Sequence, residues 1–102
     1  MIVLISAQAE ADLERIGDHI AEDNPQRASG FIHELLERCE RLTETPHGFS
    51  LVPRYEHTGV RRRPYRNYLI FYRVGEERVE ILHILNGAQD FESILFPEGG
   101  PQ

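Results

Sequence analysis

Asn24-Pro25 separates two amphipathic stretches with no linker to spare, and this junction constrains the fold more than any other feature of the chain. Ahead of it, Ala9, Leu13, Ile16, Gly17 and Ile20 recur at steps of three and four, which predicts a helix from about Ala7 to near Asp23 with Ser6 as its N-cap. Behind it, Ala28, Phe31, Ile32, Leu35, Cys39 and Leu42 repeat the same periodicity and predict a second helix to about Leu42. Asparagine caps, and proline tolerates the first helical position because that N–H has no helical acceptor. Two helices joined this tightly must turn back on each other as an antiparallel hairpin. Glu34 with Arg38 and Glu37 with Arg41 are spaced to form outward i,i+4 ion pairs.

The flanking segments follow a different period. Met1 to Ile5 (MIVLI) is a short β-branched run suited to a buried strand. Thr43 to Pro53, rich in breakers, reads as a loop. Three strand-like runs follow, Gly59 to Pro64, Tyr68 to Val74 and Val79 to Leu85, with Gly75 to Arg78 as a hairpin turn. Tyr68 to Val74 is apolar or aromatic on both faces, as a central strand is, while Val79, Ile81, His83 and Leu85 are expected to share one face. Asp90 to Phe96 suits either a short helical turn or an edge segment. The expectation is an α+β fold: an N-terminal strand, an antiparallel two-helix hairpin, and a C-terminal three-stranded antiparallel meander completing one sheet. Residues 1–97 would form a single domain and residues 98–102 a flexible tail.

Charge is unevenly placed. The chain of 102 residues has a net charge of −6 and no lysine. Residues 1–50 carry ten acids against four arginines, whereas Arg54 to Arg73 carries six arginines against the single acid Glu56. Every cation is therefore a planar guanidinium able to fork onto a carboxylate or phosphate and to stack on the interleaved tyrosines. The lone Cys39 forbids an internal disulfide and points to a reducing cytoplasm. The apolar start is too short for a signal sequence, and no segment approaches the length of a membrane span. No phosphate-binding glycine loop or serine elbow is present, and His33-Glu34-Leu35-Leu36-Glu37 lacks the second histidine of a zinc-protease helix, so no metal or cofactor is expected.

The phrases SAQAEADLERIGDHI, RRRPYRNYLIFYRV and ILHILNGAQDFESIL, in that order, resemble the ParE/RelE superfamily of type II toxins over roughly Ile2 to Phe96. The resemblance implies a sheet packed on a helical hairpin and a cognate antitoxin that holds the toxin inactive. Superfamily members that cleave mRNA on the ribosome place cations and proton-transfer groups on the meander and beyond the last strand. Here the positions after that strand read Asn86, Gly87, Ala88, Gln89, Asp90 and Phe91, and Asp90 would repel phosphate. A body of net charge −6 is also poorly suited to a field of phosphates. The ParE branch, whose members inhibit DNA gyrase, fits better. It implies a ParD-like, DNA-binding antitoxin as partner, gyrase as target, and no sequence-specific nucleic-acid binding by the toxin alone. The alternatives are a RelE-type endoribonuclease using Arg61, Arg63, His83 and Tyr65, or an inactive family member that only forms complexes.

The residues singled out for antitoxin or target contact are Arg61, Arg62, Arg63, Tyr65, Arg66, Tyr68 and Arg73, with no catalytic residue assigned. Each has a plainer reading. Strand alternation puts Arg61 and Arg63 on one face and Arg62 on the other, so one set is expected to make structural salt bridges. Tyr65, Tyr68 and Tyr72 could stack on bases, but aromatics in strands ordinarily pack. Glu10, Glu14, Asp18 and Glu22 form an acidic ridge along the first helix that a basic partner would relieve, although solvation alone suffices. His57 and His83 read as structural histidines before proton-transfer groups, and Cys39 as core.

Overall fold

Ser6 ends the first strand and starts the first helix in one residue. Its hydroxyl accepts from the Ala9 N–H at 3.0 Å and donates to the Leu82 carbonyl at 2.9 Å, tying the helix start to a distant strand. In the computed structural model, which describes residues 1–98, the order is β1 (Ile2–Ile5), α1 (Ala7–Asp23), α2 (Pro25–Arg41), β2 (Val60–Tyr65), β3 (Tyr68–Gly75), β4 (Arg78–Asn86) and α3 (Phe91–Leu95). The expected α+β architecture is present. Asn24 caps α2 through its side chain on the Arg27 N–H, and Pro25 holds the first helical position. Apart from Glu98, the expected tail lies outside the described residues.

The four strands form one sheet in the order β1-β4-β3-β2. The β2–β3 and β3–β4 pairs are antiparallel, while β1 pairs parallel with β4 from Ile2↔Arg78 to Ile5↔Ile81. The hairpin covers one sheet face. Leu35, Cys39 and Leu42 of the helical side are fully buried there against Ile70, Tyr72, Val79, Ile81 and Ile84. Each such aliphatic burial contributes about 1.5–3 kcal/mol. On the other face a smaller core gathers Val52, Tyr55, Val60, Phe71 and Leu85 under Phe91, Leu95 and Phe96.

Four expectations are corrected. The first strand is not buried: it is an edge strand in which Val3 and Ile5 meet the hairpin core, while Ile2 and Leu4 stay 60% and 38% exposed on the uncovered face. The Thr43 to Pro53 segment is not wholly a loop, because Leu51 bridges Arg61 and the Val52 N–H donates to the Val60 carbonyl at 2.9 Å. Val79, Ile81, His83 and Leu85 do not share a face. Phe71 pairs with His83 but Tyr72 with Ile81, so Leu82 is an extra residue that bulges β4 and reverses its alternation. Ile84 thereby joins the hairpin core and Leu85 the smaller one. Finally, Glu34 does not pair with Arg38, which turns to Glu37 at 2.7 Å; of the two expected i,i+4 pairs only Glu37 with Arg41 forms, at 3.8 Å.

A bulge leaves backbone groups without ladder partners, and here α1 supplies one. Asp12, only 3% exposed, accepts from the Ile84 N–H and from His83 Nδ1, both at 2.8 Å, and from Arg15 at 2.8 Å. A buried carboxylate is tolerable because both its oxygens are occupied.

Candidate functional site

The two-residue turn Arg66-Asn67 joins β2 to β3, with Tyr65 opposite Tyr68 and Arg66 in the left-handed region at φ 54°. The tight turn fixes register, and register distributes the arginines. Tyr65, Arg63 and Arg61 oppose Tyr68, Ile70 and Tyr72 and so share the hairpin side, while Arg62 and Arg73 lie opposite Phe71 and Val60 on the other face. The predicted contact residues are thus split into two surfaces with Arg66 between them.

On the hairpin side the arginines converge on the C-terminal end of α2 and the segment after it. Arg61 donates to the Phe49 carbonyl at 2.7 Å and lies 3.4 Å from that of His47. Arg63 stacks on the Phe49 ring at 4.8 Å, and its Nε is buried without a hydrogen-bond partner. Burial first, then the Arg38 and Arg41 charges, push the Arg63 guanidinium below the ordinary arginine range. The negative end of the helix dipole favours Arg38 and Arg41 at this terminus. Arg38 also lies 4.7 Å over the Tyr65 ring, and Arg66 lies 5.5 Å from it. Burial pushes the Cys39 thiol up to about 12, so it is a neutral packing group.

Glu34 is the acid that fixes the upper edge of this surface. It accepts from Arg27 at 2.7 Å and from the Tyr65 hydroxyl, and Arg66 reaches it at 3.8 Å. The Arg27 and Tyr65 hydrogen bonds hold its carboxyl down at about 2. Tyr68 packs on Phe31, and the buried Tyr72 gives its hydroxyl to the Pro46 carbonyl at 2.8 Å. All three tyrosines are engaged within the fold.

The opposite face is of mixed character. Val60, Arg73, Glu80 and Leu4 form one row across four strands, and Arg73 meets Glu80 at 3.2 Å. Gly59, at φ 79°, leads into β2 beneath the Arg73 stem, which lies 3.7 Å from where a Cβ would project. Beside this row a cleft of about 440 Å³ is lined by Thr58, Val60, Arg73, Leu82, Ile94 and Phe96 among others. An open trough of mixed polar and apolar lining therefore lies between the sheet and α3, whereas the space between sheet and hairpin is filled core.

Sequence reasoning missed Arg38, Arg41, Phe49 and Asp12. Arg38 and Arg41, three apart, share a helix face, but nothing local says which strand that face meets. Among the described residues no group of three His, Cys, Asp or Glu side chains could hold a metal ion, and no helix is long and apolar enough to cross a membrane.

Comparison with known proteins agrees with this architecture. Residues 3–91 match the family model described as ParE toxin of type II toxin-antitoxin system, parDE. Among solved structures the chain is similar to one described as the chromosomal ParDE TA system from P. aeruginosa, with a TM-score of 0.73 and 25% identity, covering 84% of this chain and 95% of that one. No curated protein sequence matches.

Proposed function

The chain belongs to the ParE toxin family of type II toxin–antitoxin systems, and from that premise we propose that it acts in the cytoplasm by binding and inhibiting DNA gyrase, without catalysis, and is silenced by a cognate ParD-like antitoxin. The observation that carries the binding reading is the dispersal of the proton-transfer groups. A nuclease needs an acid, a base and cations around one reacting phosphate. His83 lies across β3 from the β2 arginines, about 10 Å away at ordinary strand spacing, and its Nδ1 is committed to Asp12. Tyr65 gives its hydroxyl to Glu34 of α2 and is equally committed within the fold.

What remains is suited to holding a polypeptide. The antitoxin arm lays apolar side chains along the trough beside Leu82 and Ile94, with its acids reaching Arg62 and Arg73 and, around the β2 edge, Arg61, Arg63 and Arg66. Tyr65 and Tyr68 form the rim of that path. Gyrase takes part of the same surface once the arm leaves.

The deciding experiment sets two assays side by side. Purified chain added to gyrase and plasmid is expected to block supercoiling and trap cleaved DNA, and added to programmed ribosomes to leave the message intact. Defined cleavage of message in the ribosomal A site would instead establish the endoribonuclease. Neither effect, with growth unaffected on induction, would mark an inactive complex-forming member.

A further inference from the structure

We propose that Arg38, Arg41, Arg61 and Arg63 form an anion cradle at the C-terminal end of α2 that takes the side-chain carboxylates of an acidic peptide segment. Two of the four, Arg38 and Arg41, belong to a helix that the contact residues above do not include. The proposal deepens the antitoxin reading and rests on it only for the natural source of the segment.

The cluster is unbalanced within the chain itself. Among the described residues Glu37 is the one carboxylate that approaches it, 2.7 Å from Arg38 and 3.8 Å from Arg41. Neither Arg61 nor Arg63 has a salt-bridge partner among the described residues, in contrast to Arg27 on Glu34 at 2.7 Å and Arg73 on Glu80 at 3.2 Å. Arg61 and Arg63, two residues apart on one strand face, stand about 7 Å from each other by strand rise. Like charges this close repel, and the fold maintains them with backbone carbonyls on Arg61 and the Phe49 ring under Arg63.

Stacking explains why such a cluster is ready to bind. A guanidinium lying flat on a ring satisfies its face, while its N–H groups point outward in the plane, already oriented for a forked contact. The Arg63 guanidinium lies over the Phe49 ring at 4.8 Å and that of Arg38 over the Tyr65 ring at 4.7 Å. The Arg63 Nε is buried with no acceptor, so the fold does not neutralise this guanidinium from within.

The surroundings select a short carboxylate-bearing segment over a nucleic acid. Glu34, Glu37, Glu40 and Glu44 run along and past the end of α2, and the whole chain carries −6. A phosphodiester strand long enough to gain from counterion release would meet these acids on leaving the cluster. Two or three carboxylates spaced along a peptide would fit without doing so.

The test uses the full chain and a fluorescein-labelled hexaglutamate peptide, with binding followed by anisotropy at low ionic strength. The parent is expected to bind, and Arg41→Gln and Arg63→Gln each to weaken binding about tenfold or more, in line with loss of a charge-assisted hydrogen bond. Arg78→Gln removes one charge from the start of β4 and is expected to leave affinity unchanged. Arg41 is exposed, so its variant is expected to fold and to melt no lower than the parent; a purely structural arginine would lower the melting temperature. Failure of the parent to bind hexaglutamate, equal weakening by Arg78→Gln, or tighter binding of oligothymidylate than of hexaglutamate would each overturn the proposal. None of these outcomes bears on the gyrase and ribosome assays, which use no peptide.

Discussion

Glu34 shows how one carboxylate decides the character of its neighbours. Its carboxyl is held at about 2, below an ordinary value of 4.5, by hydrogen bonds from Arg27 and Tyr65. Because the folded value is the lower one, the stabilisation is complete above about pH 4.5 and is lost as pH falls through about 2. Glu34→Gln should therefore unfold at lower urea than the parent at about pH 7, and the gap should narrow steadily below pH 4.5; a gap that stays constant to pH 2 would separate Glu34 from the acid limb. Cys39 is a second residue-scale case. With its thiol buried and pushed up to about 12, it should react with a disulfide reagent only after unfolding, so rapid labelling of the native chain would contradict its packing role.

At the scale of elements, the contact between α1 and the β4 bulge is the most exposed to single substitutions. Asp12 accepts from Ile84 and His83 at a place where the ladder has lost its register. Asp12→Ala should cost about 3 kcal/mol, because the Ile84 N–H would be left buried and unpaired and the half-buried His83 ring would lose its partner. An unfolding curve shifted by less than a third of that would mean that water replaces the carboxylate. The α1–α2 junction is milder: Asn24→Ala removes the side-chain cap on the Arg27 N–H and should cost about 1 kcal/mol by the same measurement.

For the whole molecule the relevant quantity is the division of the sheet into a filled face and an open one. The hairpin occupies one side, and α3 with the Val52 to Thr58 segment covers only part of the other, leaving Ile2, Leu4 and Ile94 in solvent. An arm that covered that face, as proposed, would bind the native state alone, so cognate antitoxin at about a hundred times its Kd should add about 2.7 kcal/mol to the unfolding free energy. The melting temperature of the pair should then rise with concentration; a complex that melts where the free chain does would rule out docking on the folded toxin.

The strands, the two long helices and their order were legible in the chain before folding, with the form of the Asp90 to Phe96 segment left open. Helical periodicity on both sides of Asn24-Pro25, alternation in the meander and the breakers between them are local signals, each set by backbone geometry within a few residues. The two-faced apolar character of Tyr68 to Val74 likewise identified a central strand, now found between β2 and β4. Tertiary structure alone decided which arginines meet. Alternation separated Arg61 and Arg63 from Arg62, but only the packing of α2 on the sheet brought Arg38 and Arg41 beside Arg63 and left Glu34 to Arg27, Tyr65 and Arg66. The one-residue bulge at Leu82 was equally invisible, since nothing in ILHIL distinguishes a continuous strand from one that slips by a residue to offer an N–H to Asp12. Charge partners and register depend on distances between segments far apart in the chain, and the chain acquires those distances only when it folds.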